Sequence, residues 1–142
     1  MCKLGDIIVI KEFKNEFGET IPKHSFVVIS GQANYIEGFR YDFVSNMLCS
    51  FHNKKHKQKK LKYKENLPIK EQKISGKKIN NKTGYIKADQ LYYFDKNKIE
   101  YKLIAHMDDS LLNELIKLII NLQKQNILKP IITNIEKEKI TN

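Results

Sequence analysis

Two short apolar runs set the pattern at the start of the chain, Ile7-Ile8-Val9-Ile10 and Phe26-Val27-Val28-Ile29. Each is rich in β-branched residues, too short for a helix and bounded by turn-formers, as buried strands are. Between them, Lys11 to Ser25 is polar and marked by Asn15, Gly18 and Pro22, which predicts a long hairpin loop. Tyr41 to Ser50 predicts a third strand. Strict alternation there puts Phe43, Ser45, Met47 and Cys49 on one face, and Val44, Asn46, Leu48 and Ser50 on the other. Gly84 to Ala88 and Ile99 to Ala105 complete the set, with Asp89 to Phe94 and an Asp95-Lys96-Asn97-Lys98 turn between them. About five or six strands at this spacing point to a compact, mainly β barrel.

The period then changes. Asp108-Asp109-Ser110 offers N-cap residues, after which Leu111, Leu112, Leu115, Ile116, Leu118, Ile119 and Leu122 recur at helical spacing as far as Lys124-Gln125-Asn126. This predicts one amphipathic helix packed on the barrel, with a polar face too weakly basic for a membrane surface. After Lys129-Pro130, residues 131–142 mix apolar and charged positions, and a short helix, an oligomer contact and disorder all fit them. The expected organisation is one barrel-plus-helix domain over residues 1–126 and a tail over 127–142.

Charge changes the picture from a generic barrel to one with a polyanionic partner. The 142 residues carry 26 Lys+Arg against 16 Asp+Glu, a formal charge of +10. Lysine outnumbers arginine 25 to 1, a bias that codon composition explains, whereas the excess of positive charge is not explained that way. Nucleic acid or an acidic polypeptide is the natural counterpart. The bias peaks from His52 to Lys64, where seven lysines, two histidines and Tyr63 stand without an acid. Phosphate is the ligand such a segment suits, with Lys54, Lys55, Lys57, Lys59 and Lys60 as its candidate contacts, and a solvated loop that only keeps the chain soluble is the other reading. His52 and His56 are four apart, but no Cys, Asp or Glu stands nearby to complete a zinc site. Neither metal nor cofactor is expected.

Arg40 is the one arginine, and a guanidinium offers bidentate contacts that an ammonium cannot. Tyr35, Phe39, Tyr41 and Phe43 around it would give bases a stacking platform. Cys2 and Cys49 form neither a disulfide framework nor a ligand set. Cys49 as a nucleophile would need a histidine within reach, for which His24 is the candidate, whereas alternation turns the thiol toward the core. No apolar run is long enough to span a bilayer, and Met1 to Asp6 lacks an apolar leader stretch, so the expected location is cytoplasmic.

The order of motifs is also informative. Gly5-Asp6-Ile7-Ile8-Val9, then Lys23-His24-Ser25-Phe26-Val27-Val28-Ile29-Ser30, then Val44-Ser45-Asn46-Met47-Leu48-Cys49-Ser50, then Gly84-Tyr85-Ile86-Lys87-Ala88-Asp89-Gln90-Leu91 and a Leu-rich helix together resemble the MazF/PemK family of toxins over residues 4–122. The resemblance implies a small SH3-like barrel with a C-terminal helix. It further implies a homodimeric, metal-independent endoribonuclease that cuts single-stranded RNA by 2′-hydroxyl attack and is held inactive by an acidic antitoxin. Where that family places an Arg-Pro pair before its second strand, this chain has His24 and Ser25; where it places Thr or Ser at the end of its third strand, Ser50 matches. His24 and Ser50 are thus the implied catalytic positions, with Lys23 and Arg40 holding charge. A non-catalytic module that binds nucleic acid through the same basic barrel is the alternative.

Overall fold

A computed structural model describes residues 2–15, 17–30, 34–36, 39–69, 74–75 and 84–133. In chain order the strands are β1 (Asp6–Lys14), β2 (Thr20–Ser30), β3 (Asn34–Ile36), β4 (Phe39–Tyr41) and β5 (Phe43–Ser50), followed by helix α1 (Lys54–Leu61). Next come β6 (Asn66–Ile69), β7 (Ile74–Ser75), β8 (Gly84–Lys87), β9 (Gln90–Phe94), β10 (Tyr101–Met107), helix α2 (Asp109–Lys124) and β11 (Lys129–Ile132). The fold is mainly β within the α+β class. Nine strands form one sheet in the order β11-β9-β5-β2-β1-β10-β7, with β8 beside β5 and β6 beside β8. All of its pairs are antiparallel except β11 on β9.

The two faces of this sheet bury different chemistry. Ile7, Val27, Ile86, Ala105 and Met107 lie under α2, which buries Leu111, Leu112, Leu115 and Leu122 against them. Asp108 caps α2, accepting from the Ser110 N–H at 3.1 Å, and Asn126 takes a left-handed φ of 57° just past the helix end. The other face carries an aromatic core of Ile8, Ile10, Phe13, Phe26, Val28, Phe43, Met47, Tyr92 and Phe94. Phe13 is its hub, meeting Phe26, Tyr92 and Phe94 edge-on at 5.3, 5.9 and 5.8 Å.

Asn46 makes the corner where β5 changes partner. The first part of β5 pairs with β9 and its end pairs with β8. The buried Asn46 amide donates to the carbonyls of Lys87 at 3.1 Å and Gln90 at 3.0 Å, pinning the β8–β9 turn to the middle of β5.

Several sequence expectations change. Lys11 to Ser25 is not a long loop: β1 and β2 run on as a paired ladder to Lys14↔Thr20. Phe13 explains it, because its buried ring, with Ile21 opposite it in the ladder, holds the hairpin to the core. The count of about five or six strands is too low, since Asp89 to Phe94 supplies β9 and the two-stranded β3–β4 ribbon precedes β5. In the tail, Lys129–Ile132 is a strand parallel to β9 with Ile131 buried; residues 134–142 lie outside the described residues. Among the described residues, no helix is long and apolar enough to cross a membrane.

Candidate functional site

His24 lies near the middle of β2, opposite Ile10 of β1. Alternation places it on the face of Phe26 and Val28, and its ring meets Phe13 edge-on at 6.2 Å. Its Nδ1 stands 2.8 Å from the Pro22 carbonyl. That oxygen only accepts, so Nδ1 carries the proton and the neutral ring presents a lone pair at Nε2. The half-buried imidazole is therefore held in the tautomer of a base.

Ser50 closes β5 opposite Gly84 and is exposed. A Cβ on Gly84 would sit 2.2 Å from the Cys49 carbonyl oxygen, so only glycine lets β8 approach β5 this closely. Along β5, Phe43, Met47 and Cys49 pack with the aromatic core, whereas Leu48 packs on the α2 side. Ser50 shares the Leu48 face, so the sheet separates it from His24. The β2–β5 register ends at Ser25↔Leu48, and alternation from it puts His24 and Cys49 on one face of the sheet and Lys23 and Ser50 on the other. The structure thus divides these four positions between the two faces.

Cys49 pairs across the ladder with Tyr85, and the thiol and the phenol hydroxyl influence one another's ionisation. Burial pushes the Cys49 thiol up, against the downward pull of Lys87, Tyr85 and Lys60. Tyr85 is buried, and its hydroxyl is pushed up to about 12 by burial and by Cys49. Both groups stay protonated at neutral pH, which removes Cys49 as a thiolate nucleophile.

Beyond β5 the chain turns into α1, a helix that periodicity did not predict. Its eight residues include Lys54, Lys55, Lys57, Lys59 and Lys60, no acid and no fully buried side chain. A helix this short is marginal alone, so local contacts must hold it. Asn53 caps it, its Oδ1 accepting from the His56 N–H at 2.8 Å. Phe51 stacks on Tyr85 at 5.1 Å, and the His56 ring lies 6.3 Å from Tyr85. Lys57 Nζ sits 5.7 Å above Phe51, Asn66 Nδ2 donates to the Lys60 carbonyl at 2.9 Å, and Lys64 Nζ donates to Gln125 beyond α2. Tyr85 alternates with Ile86, which faces α2, so α1 sits on the Cys49 and His24 side.

His52 and His56 do come together. Their rings lie 4.5 Å apart, and the His52 N–H donates to His56 Nδ1 at 3.1 Å. Lost hydration and the neighbouring His52, Lys60 and Lys59 hold His56 below the usual imidazole range. Among the described residues no group of at least three His, Cys, Asp or Glu could hold a metal.

The remaining expectations divide. Arg40 pairs with Tyr35 in the β3–β4 ribbon, but the side chains of Tyr35, Phe39 and Arg40 lie outside the described residues. Tyr41 and Phe43 are core rather than a stacking platform, Tyr41 against Tyr93 at 4.7 Å and Phe43 against Phe94 at 5.7 Å. Sequence reading gave Tyr85 and Lys87 no site role and weighed His56 only as a metal ligand. The signal for α1 was present in Asn53, a capping residue ahead of a run of helix-forming Lys and Gln broken only by His56.

An open groove of about 530 Å³ runs between the β1–β2 hairpin and residues 97–100. Its rim mixes Lys11, Lys14 and Lys98 with Glu12 and Glu100, and Lys11 pairs with Glu100 at 3.5 Å. That cancellation makes it a poorer polyanion site than α1. Comparison with protein-family models, with curated proteins and with solved structures found no match to this chain.

Proposed function

We propose that the chain is a metal-independent endoribonuclease of the MazF/PemK kind, cutting single-stranded RNA at the basic face of its sheet. One observation carries the reading: an imidazole in the base tautomer, His24, stands on the sheet face that also carries a helix bearing five lysines and no acid. In this reading His24 Nε2 takes the proton of a ribose 2′-hydroxyl. The O2′–P bond then forms, the P–O5′ bond breaks, and the 5′ oxygen is protonated from water, leaving a cyclic phosphate and a 5′-hydroxyl. Lys60 and Lys87, whose charges act on Cys49, offset the charge building on phosphate.

The aromatic core, with no helix among the described residues that form it, supports an SH3-like barrel as the parent fold. The basic surface equally suits an acidic antitoxin, and homodimerisation in the cytoplasm belongs to the same reading. Incubating the protein with a long mixed-sequence RNA in EDTA and mapping new 5′ ends tests it. Discrete cuts bearing 5′-hydroxyls support it; intact RNA from folded protein refutes it. One observation favours a non-catalytic RNA-binding module instead, namely that Ser50 lies across the sheet from His24 and leaves it without the implied partner. Binding with a steep salt slope and no cleavage would establish that module.

A further inference from the structure

Among the groups that the resemblance leaves without a role, the His52–His56 pair is the most completely built. His56 Nδ1 is occupied as an acceptor, so the neutral ring carries its proton on Nε2, the opposite tautomer to His24. No described residue takes that Nε2–H, and the ring is half-buried rather than sealed. Lys59 and Lys60 flank it on α1, and no carboxylate stands in that helix. A proton-bearing nitrogen set among ammonium groups is a donor site for a phosphate oxygen.

Surroundings decide which phosphate. The His24 ring meets Phe13, whereas the His56 ring meets Phe51, His52 and Tyr85, so the two imidazoles share no ring neighbour. Tyr85, 6.3 Å from the His56 ring, pairs with Cys49, which packs on the same sheet face as His24. One face with separate surroundings suits the two imidazoles to different phosphates of one strand.

We propose that His56 is a substrate-positioning residue that donates Nε2–H, together with the Lys60 ammonium, to an RNA backbone phosphate neighbouring the one His24 addresses. The exposed His52 ring, 4.5 Å away, offers a stacking face to the adjoining base. RNA is favoured over an acidic polypeptide by this combination of a phosphate donor with exposed aromatic surface. The assignment of the neighbouring phosphate rests on the nuclease reading above; the binding role stands apart from it.

The test uses a short mixed-sequence RNA and its all-2′-deoxy counterpart, which cannot be cleaved. His56→Ala should weaken binding of the deoxy strand about tenfold, and His56→Gln, which restores an N–H donor, should recover most of that. The slope of log affinity against log salt should be unchanged in His56→Ala and should fall by about 0.7 in Lys60→Ala, because a neutral donor releases no counterion. On RNA, His56→Ala should raise the concentration for half-maximal cleavage while the saturated rate stays within about twofold. Unchanged binding of the deoxy strand, or a slope change equal to that of Lys60→Ala, overturns the proposal. Equal dependence of polyglutamate binding on His56 overturns the RNA assignment. If the RNA stays intact while the binding differences hold, the nuclease reading fails, the neighbouring-phosphate assignment falls with it, and the binding role of His56 remains.

Discussion

The Nδ1–H of His24 donates to the carbonyl of Pro22, two residues back on the same strand, across 2.8 Å. This bond fixes the ring and leaves Nε2 as the free nitrogen, whereas the Ser50 hydroxyl opens on the other side of the sheet. The two implied catalytic positions should therefore behave differently. His24→Ala should abolish RNA cleavage with a melting temperature close to wild type, because the half-buried ring meets the core only edge-on at Phe13. Ser50→Ala should retain cleavage within a few-fold. Cleavage that survives in the first variant, or disappears in the second with folding intact, would reverse these roles.

Asn46 should matter for stability more than for chemistry. Its amide serves the Lys87 and Gln90 carbonyls at the corner between β8 and β9, and the residue is fully buried. Asn46→Leu would leave those carbonyls unsatisfied, at a cost of about 2–3 kcal/mol. Urea unfolding should read this as a lower midpoint with an unchanged slope. Wild-type stability in the variant would mean that the corner is held by the strand ladders alone.

How much of this was legible from sequence depends on whether a residue's neighbours in sequence or its neighbours in space decide its state. The runs at Ile7 and Phe26 and the leucines of α2 announce their elements, because burial there repeats with the local period. The hairpin beyond Ile10 did not, since a largely polar ribbon is held to the core only at Phe13 and its ladder partner Ile21. Lys129–Ile132 reads as a tail because its partner β9 is distant in sequence and pairs with it in parallel. At the site, alternation correctly turned Cys49 and Ser50 to opposite faces. Which of them accompanies His24 needed the β2–β5 register, and that register is a tertiary fact.

The Cys49–Tyr85 pair predicts alkaline instability. The folded state holds the Tyr85 hydroxyl up at about 12, through burial first and Cys49 second. A raised acid stabilises the fold below its ordinary value, about pH 10 for tyrosine, and that contribution is lost as pH climbs through the folded value. Tyr93, Tyr101 and both thiols are shifted upward too, chiefly by burial, so they act in the same direction. Stability measured by urea at increasing pH should fall above about pH 10, and less steeply in Tyr85→Phe. Identical profiles would remove Tyr85 as the cause. Cys49 should also react with a thiol reagent at neutral pH at least about tenfold slower in the native protein than in urea.

The lysines of α1 separate a functional surface from a structural one. Five like charges on eight residues repel one another, and the contacts that hold the helix run instead through Asn53, Phe51 and His56. Replacing Lys54, Lys55, Lys57, Lys59 and Lys60 with Gln should therefore leave the melting temperature unchanged or raise it slightly. The same variant should lose RNA affinity steeply at low salt, its salt slope falling by about 0.7 for each lysine that meets a phosphate. Stability that holds while affinity falls would mean that the helix is maintained for its partner. If affinity and slope both matched wild type, the polyanion site would have to lie elsewhere, and the mixed rim between the hairpin and residues 97–100 would become the surface to test.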